Sequence, residues 1–170
     1  MLKARMNSPV TIVPDAMKAM YALGKASDQG GIPHTTKLLV VLRASQINGC
    51  SVCVDMHARE MRRAGESDER IFGVGAWRDA PYYTDAERAA LDLTESLTRI
   101  ADRPDPVPDA VWDEAARHYD EKGLASLVLT ISSINVWNRL NVATRQVAGE
   151  WMKSPEARAW IEKREAAATA

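Results

Sequence analysis

The sequence has little of what would assign it to several large protein classes, beginning with sulfur. It holds only 2 cysteines in 170 residues, and these lie three apart, at Cys50 and Cys53. A bridge that short closes almost no loop and restrains little of the unfolded chain, so the pair cannot be a structural disulfide framework. Excess charge is missing as well, with 22 lysines and arginines against 23 acidic residues. Without a basic footprint, no nucleic-acid partner is expected, and Arg62-Arg63 reads as a solvated helix face. No run approaches the roughly 20 apolar residues of a membrane span. The opening Met1-Leu2-Lys3-Ala4-Arg5-Met6-Asn7 has no apolar signal core, so a cytoplasmic location with no membrane partner is expected. Sustained apolar–polar alternation, the mark of a sheet, is absent too.

What is present is apolar spacing near 3.6 residues and 46% hydrophobic content, enough for one core of ordinary size. The expected fold is all-α, a single-domain helical bundle over residues 1–170. A helix is predicted from Asp15 to about Ala26, before the Gly30-Gly31-Ile32-Pro33 break. Another runs from about Thr35 to Ile47 and stops at Asn48-Gly49. The next starts at Cys50 or Ser51 and ends at Ala64, with Gly65 as its C-terminal cap. Ser67-Asp68-Glu69-Arg70 opens a short helix through Trp77. Thr84-Asp85-Ala86-Glu87 fits a capping box, so a helix should follow to about Ile100. Pro104, Pro106 and Pro108 form a linker before a helix from Asp109 to about Tyr119. Leu124 to Val147, the most apolar segment, reads as a long buried helix. Ser154-Pro155-Glu156 begins a C-terminal helix over 154–167. Gln46-Ile47-Asn48 has a short echo in Ser133-Ile134-Asn135.

The chemistry concentrates in one turn. At about 100° per residue, Cys50, Cys53 and His57 fall within roughly 60° of one another around a helix. A free thiol near pKa 8.5 is mostly protonated at neutral pH, and the thiolate is the reactive form. The first turn of a helix aims unpaired amides and the positive end of its dipole at the sulfurs, which favours the anion. His57 can accept a proton, directly or through a water. The second thiol can then resolve an oxidised first sulfur as a disulfide. Two other readings stand beside this redox site: half of a zinc site, which lacks a second ligand pair, and two small buried residues. His34 and His118 are isolated. Asp55 should point away from Cys53, and Glu60, on the His57 face, reads as a solvated neighbour. Trp137-Asn138-Arg139 could line a pocket, although a bulky residue in so apolar a helix reads first as core.

The run Arg43-Ala44-Ser45-Gln46-Ile47-Asn48-Gly49-Cys50-Ser51-Val52-Cys53-Val54-Asp55-Met56-His57 resembles the alkylhydroperoxidase D-like proteins of the carboxymuconolactone decarboxylase superfamily. The similarity continues through Trp77-Arg78-Asp79-Ala80-Pro81-Tyr82-Tyr83-Thr84, Glu87-Arg88-Ala89-Ala90-Leu91 and Ile134-Asn135-Val136-Trp137-Asn138-Arg139. It covers about residues 10–150. The resemblance implies an all-helical fold, a homo-trimer or homo-hexamer, and a thiol-dependent peroxidase without metal or organic cofactor. It implies Cys53 as the thiol that attacks peroxide and Cys50 as the resolving thiol. Cys50 would then meet a reducing partner, a lipoyl-bearing or thioredoxin-like protein, and His57 would serve the proton relay. The family's relay glutamate, twelve residues before the first cysteine, is replaced here by Leu38, which cannot move a proton. A dithiol–disulfide oxidoreductase or redox sensor that handles peroxide poorly is therefore the alternative. The decarboxylase members lack this dithiol turn, so lactone chemistry is not expected.

Overall fold

A computed structural model describes residues 2–102, 104–150 and 153. Eight α-helices follow one another among these residues: α1 (Pro9–Ile12), α2 (Ala16–Ser27), α3 (His34–Ile47), α4 (Ser51–Arg63), α5 (Asp68–Gly73), α6 (Asp85–Thr98), α7 (Asp109–His118) and α8 (Glu121–Thr144). Single 3-10 turns follow α2, α5 and α6, and no strand is present among the described residues. The all-α expectation holds, and no helix among them is long and apolar enough to cross a membrane.

Helix boundaries follow the local chemistry. Thr84 and Glu87 complete the capping box at the start of α6, each accepting the other's backbone N–H. Gly65 turns the chain after α4 at a left-handed φ of 86°, with Glu66 N–H on Met61 O and Gly65 N–H on Arg62 O. Two differences from the sequence reading stand out. The one-turn α1 was not anticipated; Pro9 sits at its first position, where a missing N–H costs nothing. The last long helix starts at Glu121, because Asp120 caps it by accepting the Gly123 N–H at 2.8 Å. The helix predicted over 154–167 lies outside the described residues.

The centre of the bundle is α3, which packs on α4, α6 and α8. Its residues Thr36, Lys37, Leu38, Leu39, Val40, Leu42, Ala44 and Ser45 are buried, as expected of a helix with little polar face to spare. Leu38, Leu39 and Leu42 join Met61, Ile71, Val74 and Leu91 in one apolar cluster, while Val40 joins Leu93, Leu127 and Ile131 in another. Each such side chain contributes about 2 kcal/mol by leaving water. Burial of α8 is only partial, where the sequence suggested a long buried helix: Leu127 and Ile131 are enclosed, but Leu129, Val136 and Val142 are exposed. The helix is apolar on two sides, and the other described elements pack on one of them.

Candidate active site

The dithiol sits where α3 reverses into α4. Gly49 takes a left-handed φ of 65°, which a residue with a side chain adopts only with strain. The Gly49 N–H bonds to Gln46 O at 3.2 Å and the Cys50 N–H to Ser45 O at 3.0 Å, the paired bonds of a Schellman ending. Cys50 thus both closes the ending of one helix and is the N-cap of the next, and its Sγ accepts the Cys53 N–H at 3.3 Å. The two sulfurs are joined in a disulfide with Cα atoms 5.4 Å apart. Both are enclosed, at 2% and 1% exposure, among Ala44, Ile134, Val41, Val52 and Trp137.

An amide network from α8 fixes this turn. Asn48 Nδ2 donates to Asn135 Oδ1 at 2.9 Å and to Asn138 Oδ1 at 2.8 Å. Asn138, fully buried, donates in turn to Ser45 Oγ at 3.0 Å. Asn135 donates to Thr98 Oγ1 and Ile131 O, so its amide is held from α6 as well. The two asparagines of the sequence echo, Asn48 and Asn135, are therefore hydrogen-bonded to each other. One turn further along α8, Asn141 Nδ2 donates to Cys53 Sγ at 3.3 Å. Asn141 escaped the sequence reading, in which Asn48 and Asn135 were only an echo and Asn138 a possible pocket wall. The available signal was their recurrence every three residues in an otherwise apolar helix, which places polar groups along one side.

His57 lies one turn after Cys53 and is 8% exposed. Its Nδ1 meets Glu60 Oε2 at 2.9 Å, and its buried Nε2 has no hydrogen-bond partner among the described residues. A carboxylate can only accept, so in the neutral ring Nδ1 carries the hydrogen and Nε2 presents its lone pair. Glu60 is not the solvated neighbour that its spacing suggested: its side chain is 10% exposed, because the His57 face of α4 turns into the protein. Leu38, at the position of the family glutamate, is packed among Leu42, Met61 and Ile71. The carboxylate on the imidazole thus comes from within α4, not from α3.

Other expected positions divide cleanly. Asp55 points away from the dithiol and pairs with Arg59 at 2.9 Å. His118 pairs with Glu114 at 3.1 Å, and His34 is exposed at the start of α3. Trp137 is half-buried and packed against the core cluster that holds the dithiol, 6.5 Å from the Tyr21 ring, and its neighbour Asn138 is fully buried. No group of three or more His, Cys, Asp or Glu side chains able to hold a metal ion occurs among the described residues. A cleft of about 710 Å³ lies elsewhere, lined by Pro33, Thr36, Glu87, Tyr119 and others, and touches none of the dithiol residues.

A second polar cluster is built from the segment around Trp77. Glu95 Oε1 accepts from Arg43 Nε at 2.7 Å and Trp77 Nε1 at 2.9 Å, and Oε2 accepts from Arg78 Nη1 at 2.6 Å. Burial works against the Glu95 charge, but the hydrogen bonds from Arg78, Trp77 and Arg43 outweigh it and hold the carboxyl down to about 2. Arg88 ties the same segment down through Trp77 O, Arg78 O and Tyr83 O.

With this geometry in view, comparison with known proteins is informative. The model of the carboxymuconolactone decarboxylase family matches residues 14–96. The uncharacterized protein YdfG of Bacillus subtilis is 41% identical over 132 residues, spanning 78% of this chain and 88% of its own. A protein of unknown function from Agrobacterium tumefaciens, proposed to be the antioxidant defence protein AhpD, superposes with a TM-score of 0.79. It shares 36% identity over 86% of this chain and 98% of its own. The debrominase Bmp8 superposes at 0.71 with 24% identity over 86% of this chain and 75% of its own, a likeness of fold.

Proposed function

The chain belongs to the carboxymuconolactone decarboxylase family, and on that footing we propose that it is a thiol-dependent peroxidase with an antioxidant role. The observation that carries the reading is the Cys50–Cys53 disulfide at a helix N-cap, beside an imidazole oriented by Glu60 and with Nε2 left to take a proton. In the proposed cycle the Cys53 thiolate attacks the terminal oxygen of a hydroperoxide. The O–O bond breaks, Cys53 becomes a sulfenic acid, and the departing alkoxide or hydroxide takes a proton from the His57 imidazolium. The Cys50 thiol then attacks the Cys53 sulfur, which forms the disulfide and releases water. A dithiol donor reduces that disulfide to two thiols and is itself oxidised to a disulfide.

The amides at the start of α4 favour the anionic sulfur, and Glu60 does for His57 what Leu38 cannot. The proposed donor is a lipoyl-bearing or thioredoxin-like protein in a reducing cytoplasm. Because Cys50 is 2% exposed, its exchange with a protein dithiol requires local opening of the α3–α4 turn. A homo-trimer or homo-hexamer is proposed as the working form, since it would cover the outer apolar side of α8 at Leu129 and Val136. The test is hydroperoxide consumption with a small dithiol donor. Cys53→Ser is expected to lower the rate by at least about 100-fold, and equal rates would overturn the assignment.

The burial of Leu38 favours one second reading, a dithiol–disulfide oxidoreductase or redox sensor with slow peroxide turnover. Comparing rate constants for hydroperoxide and for dithiol exchange separates the two. A fast peroxide reaction rules out the second.

A further inference from the structure

Cys53 receives a hydrogen bond from outside its own helix. The Asn141 side-chain amide, on α8, lies with Nδ2 3.3 Å from Cys53 Sγ. The Cys50 sulfur, by contrast, is served by the main-chain N–H of Cys53, within the same turn. The titratable side chains grouped at the dithiol, Cys50, His57 and Glu60, stand on α4 or at its start; α8 aims a neutral donor at the sulfur, and its nearby charge, Arg139, is spent on Asn135 O and Oδ1. A sulfur at 1% exposure has lost nearly all hydration, and an anion there depends on the few dipoles the protein aims at it.

The end of α8 holds this donor firmly. Asn141 O accepts the Gln146 N–H at 3.0 Å and Val142 O the Arg145 N–H at 3.1 Å, a Schellman ending with Arg145 in the left-handed region at φ 52°. A left-handed arginine costs about 1–2 kcal/mol, and here it closes the helix immediately beyond the Asn141 turn. The N-terminal segment then straps the same end, with the Arg5 N–H on Thr144 O, Arg5 Nη1 on Ala143 O and Gln146 Nε2 on Met6 O. Asn141 is therefore carried on a helix end whose last carbonyls are occupied from two other segments.

We propose that Asn141 is a catalytic residue of the dithiol site, whose side-chain N–H stabilises the Cys53 thiolate. The proposal rests on Cys53 as the attacking thiol. A hydrogen bond that strengthens when its acceptor becomes an anion lowers the acceptor's pKa. Well below the midpoint, a rise of one unit in the pKa lowers the thiolate population about tenfold at a given pH.

The experiment uses alkylation of reduced protein by iodoacetamide across pH, in a Cys50→Ser background where Cys53 is the only thiol and serine preserves the N-cap. Asn141→Leu is expected to raise the pH midpoint of alkylation by about one unit. Asn141→Asp, of the same shape but with a carboxylate in place of the donor, is expected to raise it further. An unchanged midpoint in either folded variant overturns the proposal. The unsubstituted protein gives an independent measurement. On reduction the Asn141 side-chain amide proton resonance should move downfield and follow the pH midpoint of Cys53, and a resonance indifferent to reduction overturns the proposal equally. Neither readout involves peroxide, so loss of the peroxidase reading through inert hydroperoxides is a separate outcome.

Discussion

The buried polar cluster around Glu95 and the one around Cys53 are completed differently. Both oxygens of Glu95 are occupied, by Arg43 and Trp77 on one side and by Arg78 on the other. At the dithiol, Asn141 and Glu60 each fix one atom, while His57 Nε2 is buried with no partner among the described residues. The difference separates architecture from chemistry. A carboxylate held at about 2 stays ionised at neutral pH and neither gives nor takes a proton there. An oriented imidazole with a vacant nitrogen can do both. A strongly perturbed pKa often marks a functional site, but here it marks the ion-pair network joining α3, α6 and the Trp77 segment.

The comparison can be broken most directly by removing Glu95. Glu95→Ala leaves Arg43, with 14% of its side chain exposed, without its buried counter-charge, and should cost about 3 kcal/mol of unfolding free energy in chemical denaturation. Alkylation of Cys53 in the folded fraction should be unchanged. If the dithiol slowed in parallel with the loss of stability, the two clusters would be one unit.

Acid sharpens the same contrast. Glu95 has its folded pKa depressed from 4.5 to about 2, so the stability it contributes is fully present above about pH 4.5 and is lost as the pH falls towards 2. Unfolding free energy measured across that window should decline in the wild type and decline less in Glu95→Ala. Equal slopes would mean that other carboxylates, not Glu95, carry the acid sensitivity.

The smallest expected effect falls on Glu60. Glu60→Gln keeps the shape but loses the charge that orients His57, and should lower the hydroperoxide rate about tenfold with less than about 1 kcal/mol change in stability. A rate equal to wild type would remove Glu60 from the relay and leave His57 and water. A stability loss as large as that of Glu95→Ala would make Glu60 a structural carboxylate like Glu95.

Much of the fold was legible in the sequence because its signals are local. Thr84 and Glu87 lie within one turn of each other, and a capping box needs nothing beyond that turn. Asn48-Gly49 announced a helix stop because only the left-handed turn at Gly49 lets α3 end and Cys50 cap α4. The dithiol triad was legible for the same reason, all three residues belonging to one turn and a half. Glu60 was misjudged because spacing places it beside His57 but does not reveal whether that face of α4 meets solvent or protein. The burial of α8 was overread similarly: apolar content marked the helix as buried, yet its asparagine side packs on the dithiol turn and leaves Val136 exposed.

By itself, then, the sequence determined the helices, their caps and the dithiol spacing, because these depend on hydrogen bonds and side chains a few residues apart. Only the tertiary structure decided which carboxylate holds His57, which amide meets Cys53 and which nitrogen is buried without a partner among the described residues. Asn141 stands 88 residues from Cys53 in the chain, and no local preference links them. Their contact exists because α8 packs across the start of α4, where burial turns a weak dipole into an influential one.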